Sequence, residues 1–137
     1  MSSNSAVVVT FANAPALVIA HLRPLVAPLP VHHDVPNARP PTFIKIFRTG
    51  GSSNTGGGSA APLDLAQLTI ESWATDSDTA EANAQIVRRH INDLVGQSLS
   101  GHPVYKVVEL SGPGELPDPF SNSRRSTWSV QVWIRGI

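Results

Sequence analysis

Hydrophobic and polar positions alternate with a period of two along Leu68-Thr-Ile-Glu-Ser-Trp73 and then switch to a period near 3.6. Leu68 and Ile70 fall on one face of a strand; Thr69, Glu71 and Trp73 fall on the other. The switch marks a strand running into an amphipathic helix. Ala80, Ala84, Val87, Ile91 and Leu94 recur at spacings of three and four and form the stripe that packs on a sheet. Asp78 and Glu81 have capping-box spacing, which predicts a helix start near Asp78, and Gly96 supplies the stop.

The same reading finds three further strands. Thr42–Arg48 places Ile44 and Ile46 on one face and Phe43, Lys45 and Phe47 on the other. Val104–Leu110 is the next. In Ser126–Arg135, Trp128, Val130, Val132 and Ile134 oppose Thr127, Ser129, Gln131, Trp133 and Arg135. The strand at Asp64–Ala74 slips in apolar phase between Leu65 and Leu68, which predicts a bulge or a late start of regular pairing. Asn13 caps a short N-terminal helix that Pro24 should end or kink, and Val31–Val35 offers a short strand in a proline-rich stretch. Residues 1–12 read as a flexible arm, and 13–137 as a single domain. The expected fold is α+β: a mostly antiparallel sheet of four strands or slightly more, one main helix packed on it, and a short N-terminal helix.

Two loops stand out. Gly50–Ser59, rich in glycine and serine and containing Gly50, Gly51, Gly56, Gly57 and Gly58, joins two strands and reads as flexible. It lacks the spacing of a dinucleotide or P-loop motif and does not lead into a helix. Ser111–Arg125 is held by Pro113, Pro117 and Pro119 and carries Glu115, Asp118, Arg124 and Arg125, charges of both signs.

Composition narrows the chemistry. The 137 residues contain no cysteine, so disulfides and thiolate metal sites are excluded. Ten cationic residues balance ten anionic ones, without the basic excess of a phosphate-neutralising surface. Eight of the ten cations are arginine, the cation enriched at protein interfaces. No apolar run approaches the ~20 residues that span a bilayer, and the polar start makes a poor signal peptide. His32 and His33, adjacent on a strand, would point to opposite faces and do not converge on an ion. His90 borders the helical stripe, and His21 and His102 have no acid or nucleophile beside them. Glu115 and Asp118 read as solvated loop carboxylates. The sequence therefore assigns no catalytic residue, no metal site and no cofactor. Trp73 and Trp133 carry more weight: both lie on the strand face opposite the Leu68/Ile70 and Val130/Val132 stripes, and Phe43 and Phe47 extend it. Either the N-terminal helix or another subunit covers that face.

The order of these pieces resembles the tail terminator proteins of long non-contractile-tailed bacteriophages, in the form common among phages of actinobacteria. The carriers are Leu22-Arg23-Pro24, Val35-Pro-Asn-Ala-Arg39-Pro40, Phe43-Ile-Lys-Ile-Phe-Arg48-Thr-Gly-Gly51, Leu68-Thr-Ile-Glu71-Ser-Trp73-Ala, and the helix bearing Ala80, Ala84, Val87 and Ile91. Ser111-Gly-Pro113, Pro117-Asp118-Pro119 and Arg125 before the last strand complete them. The resemblance implies a virion structural protein at the head-proximal end of the tail, assembled in the host cytoplasm. It implies a ring, usually of six copies, that caps the tail tube, stops its polymerisation and presents a surface to the head connector. The implied partners are other copies of the chain, the major tail tube protein, the connector or stopper protein and the tape measure protein. DNA only passes through the lumen, and no membrane is involved. The candidate interface comprises Trp73, Trp133, Glu115, Asp118, Arg124, Arg125 and the glycines of the 50–59 tract. The extra arm at 1–12 and the length of that tract depart from the family pattern. Other readings compatible with the residues are another head–tail completion protein, a small-ligand-binding α+β domain and a nucleic-acid-binding module.

Overall fold

A computed structural model describes residues 9–54, 62–118 and 121–137. Four long strands carry the fold: β2 (Phe43–Asn54), β3 (Leu63–Ala74), β5 (His102–Glu115) and β6 (Arg124–Arg135). Two helices, α1 (Ala14–Val26) and α2 (Ser77–Asn92), and two two-residue strands, β1 (Val31–His32) and β4 (Ser98–Leu99), complete it. The strand order is β1-β2-β3-β6-β5-β4. All pairs are antiparallel except β1 with β2, which is parallel.

This corrects the expected architecture. The sheet is not a four-stranded antiparallel layer under one main helix. It is a curled, half-barrel, mixed sheet of six strands with two helices. β1 and β4 are too short to impose a period, and β1, which follows Pro30, pairs parallel with β2 through Val31 and His32. α1 is also a full partner in the core. Val18, Ile19, Leu22 and Val26 pack with Val87 and Ile91 of α2 on the same sheet face.

That face is the hydrophobic core. Ile44 and Ile46, Ala66, Leu68 and Ile70, Trp128, Val130, Val132 and Ile134, and Val104 meet the two helices there. Burial of side chains such as Leu68, Ile70, Ile91 and Leu94 contributes about 1.5–3 kcal/mol each. The helix starts are specified locally. Asn13 Oδ1 accepts from the Ala16 N–H at 3.2 Å, and Asp76 Oδ1 accepts from the Thr79 N–H at 2.8 Å. The cap of α2 is thus Asp76 rather than Asp78. Glu81 does not reach back to the cap but accepts a hydrogen bond from Ser126 Oγ, 3.1 Å away. α1 runs two residues past Pro24, which sits in the last turn and removes a single donor just before the helix ends.

The bulge falls on β2, between Arg48 and Gly50, while β3 pairs with β6 without a break from Leu63 to Ala74. Leu65 is not out of phase; it belongs to the opposite face, level with Trp133. β2 extends through Gly50 and Gly51 to Asn54, so half of the tract read as loop is strand. Gly51 has φ +115°, and a Cβ there would lie 2.1 Å from the Leu65 carbonyl oxygen. Arg48 locks this end of the hairpin with two hydrogen bonds to Asp64, at 2.7 and 2.8 Å. β5 likewise continues to Glu115, shortening the second loop. At the N-terminal side, Thr10 and Ile137 exchange backbone hydrogen bonds. No described helix is long and apolar enough to cross a membrane.

Candidate assembly surface

The sheet face turned away from the helices carries Trp73, Trp133 and Arg125. α1 lies on the core side with α2, so it does not cover this face. Three cross-strand neighbours, Phe43, Trp73 and Arg125, form one row. Phe43 stacks on Trp73 with ring centroids 5.3 Å apart and planes 14° from parallel. The guanidinium carbons of Arg39 and Arg125 lie 5.4 and 5.0 Å from the Trp73 ring centre. Trp73 is left only 5% exposed and Phe43 1%. The cover comes from cationic side chains that offer methylenes and π-facing charge together.

The next row supplies the counter-charge. Glu71 is buried, accepts from Trp73 Nε1 at 3.1 Å, and has Lys45 Nζ at 3.9 Å and an Arg125 nitrogen at 3.5 Å. A buried carboxylate needs such partners to stay ionised at tolerable cost. Arg125 also donates to the Leu116 carbonyl at 3.2 Å and so ties Leu116 to the face. Asp118 pairs with Arg39 at 3.7 Å and accepts from Ser121 Oγ. Glu115 accepts from Ser77 Oγ at 2.6 Å, on the helix side. Arg124 is exposed beside Ala74.

The structure therefore gathers Trp73, Arg125, Asp118, Glu115 and Arg124 at the end of the sheet from which α2 departs. Trp133, Gly50 and Gly51 fall at the opposite end. Trp133 lies level with Leu65, donates to Gln131 Oε1 at 2.8 Å, and has Lys106 Nζ 5.0 Å from its ring. Gly50 and Gly51 sit in the paired arm of the β2–β3 hairpin. Gly56, Gly57 and Gly58 lie outside the described residues, as does Pro119.

Sequence reasoning missed Arg39, Lys45 and Lys106 as cover for the aromatic rings. The strand alternation had put Lys45 on the right face, but nothing local tied Arg39, in a proline-rich connection, to Trp73. Away from this face, Glu109 takes two hydrogen bonds from Arg88, at 2.6 and 2.7 Å, and one from Asn92. The Arg88 hydrogen bonds hold the Glu109 carboxyl below its ordinary range. Asp76 is also held low, first by the Thr79 N–H.

Among the described residues no three His, Cys, Asp or Glu side chains group as metal ligands. An apolar groove of about 400 Å³ lies between Val26, Pro28, Leu29, Pro30, Thr42, Asn83 and Ile86. It lacks the convergent polar groups that orient a small ligand.

No protein-family model and no curated protein sequence matches the chain. Among solved structures, it is similar to a chain of the "Virion of native gene transfer agent (GTA) particle". The TM-score is 0.65 over 91% of this chain and 100% of that chain, at 17% identity. At that identity the likeness establishes a shared fold.

Proposed function

We propose that this chain is a structural protein of a phage-type virion, and specifically the tail terminator: a ring that caps the tail tube, halts its growth and offers the attachment surface for the head connector. The observation that carries this reading is the shared fold with a virion chain along that chain's whole length. The order of sequence elements that resembles tail terminators supports the finer assignment. In this reading the protein is not an enzyme and works through surfaces. The charged end around Arg39, Asp118, Arg124 and Arg125 and the opposite hairpin end with Gly50 and Gly51 are its two assembly faces, one for the tube and one for the connector. Its copies sit at the head-proximal end of the tail, with DNA passing through the lumen.

The test is deletion of the gene from the particle that encodes it. A terminator predicts tails that lose length control and heads that do not join them, with both defects reversed by supplying the protein in trans. Normal-length tails still joined to heads would reject the assignment. Normal-length tails that fail to join heads would point to another head–tail completion protein.

A further inference from the structure

The sheet ends in two open edges. β2 has an outer neighbour only at Ile44 and Lys45, where β1 pairs with it. β5 has one only at its start, where β4 pairs with His102 and Pro103 and where Val104 exchanges backbone bonds with Gly96 and Gln97. Among the described residues no strand borders Ile46–Asn54 on one side of the sheet or Tyr105–Glu115 on the other. Such edges present rows of N–H and C=O groups that template another strand unless they are blunted. Pro113 and the register breaks after Glu109 blunt the far part of β5. Tyr105 and Leu110 sit at the first two register breaks of β5 and are 49% and 47% exposed.

The directions of the edges matter. β2, β3, β6 and β5 alternate, so the two edge strands of one copy run opposite ways. A rotation about an axis running along the strands preserves direction. It would bring β5 of one copy against β2 of the next as an antiparallel pair, with helices continuing on one face. The contact is heterologous and can close into a ring.

The heights match as well. Ser52 is level with Lys106 through Leu65 and Trp133, and Phe47 is level with Ser111 through Thr69 and Ser129. The stretches Phe47–Ser52 and Lys106–Ser111, which no described strand borders, therefore lie at the same level, each interrupted by one bulge and the first by Arg48 Nε donating to the Gly50 carbonyl at 2.9 Å, and β1 and β4, at opposite ends, limit sliding.

We infer that copies of this chain join by strand addition, β5 of one copy pairing antiparallel with β2 of the next, so that the sheets form one continuous wall. This inference rests on the ring reading above. A chain without cysteine gives a clean background for the test. Double variants Ser52→Cys with Lys106→Cys, Ser52→Cys with Val108→Cys, and Phe47→Cys with Leu110→Cys are oxidised mildly, alone and on tail tubes. Amide exchange of the unmodified protein is measured in parallel, and rings are counted by electron microscopy. The expected result is a covalent ladder reaching ring size in at least one double variant, at most dimers from each single variant, and slowed exchange in 47–52 and 106–111 on assembly. Rings with neither cross-links nor slowed exchange at these edges would overturn the inference and leave the ring reading standing. Dimers from Ser52→Cys alone, with exchange slowed only on β2, would show a two-fold contact and overturn it. Absence of any ring, even on tubes, would overturn both.

Discussion

Arg125 stands directly across the β3–β6 pair from Trp73, with its guanidinium carbon 5.0 Å from the indole centre and one nitrogen 3.5 Å from Glu71. One side chain thus shields an aromatic ring on a face without helices and balances a buried carboxylate. Arg125→Gln should lower stability by about 1–2 kcal/mol: part cation–π attraction, part the loss of a partner for Glu71. Trp73→Ala should cost about 3–5 kcal/mol. A double-mutant cycle by urea unfolding should give a coupling of at least about 0.5 kcal/mol. Strict additivity would mean that the two merely lie near each other.

Arg124 separates the assembly role from folding. It is exposed and makes no comparable contact among the described residues. Arg124→Glu should leave unfolding free energy within about 0.5 kcal/mol of the parent. The same change should weaken assembly, and more at low salt than at high salt, because exposed charge pairs are screened over about 10 Å at 0.1 M. An assembly yield unchanged at low salt would remove Arg124 from the interface.

Gly51 tests the hairpin arm. A Cβ at this position would collide with the Leu65 carbonyl oxygen, and the backbone has φ +115°. Gly51→Ala should therefore break β2–β3 pairing beyond the bulge, at a cost of about 1–3 kcal/mol. Amide exchange should accelerate at Ser52, Ser53, Leu63 and Asp64 while Ile44–Phe47 stay protected. Unchanged protection in Ser52–Ser53 would show that the arm can relax around a methyl group.

The pH dependence has a definite sign. Glu109 and Asp76 are both held below their ordinary carboxylate range in the folded chain. Each contributes stability that is present above the unfolded value, about 4, and lost as pH falls through the lower folded value. The part of the unfolding free energy that these two groups supply should thus be constant near neutrality and fall below about pH 4. Glu109→Gln should make that acid-side fall shallower, and a fall of unchanged steepness would contradict the role given to the Arg88 pair.

These residues also show what the sequence could reveal. The long strands and both helices were legible because apolar side chains repeat at periods that only one backbone geometry satisfies: Leu68/Ile70 and Val130/Val132 in strands, Ala84/Val87/Ile91 in α2. The strand alternation also put Trp73 and Trp133 on the second face. Three things were hidden. β4 is two residues long and has no period, and β1, expected within Val31–Val35, carries no sign that it pairs parallel with β2, so the six-stranded, mixed order of the sheet could not be counted. Leu65 looked like a phase error because an apolar residue was assumed to face the core, whereas it pairs with Trp133 on the other side. Arg39 approaches Trp73 from a connection far away in sequence, and long-range cover of this kind leaves no local pattern. The division of the candidate residues between the two ends of the sheet was not legible either, because it depends on strand register.

The ring is tested by electron-microscopic class averaging of the purified protein mixed with tail tubes of the same particle, beside the protein alone and the tubes alone. A single closed ring of identical copies should form on one end of the tube, after which the tube no longer elongates when tube protein is added. Tubes that stay bare and keep growing in the presence of excess folded protein would contradict it.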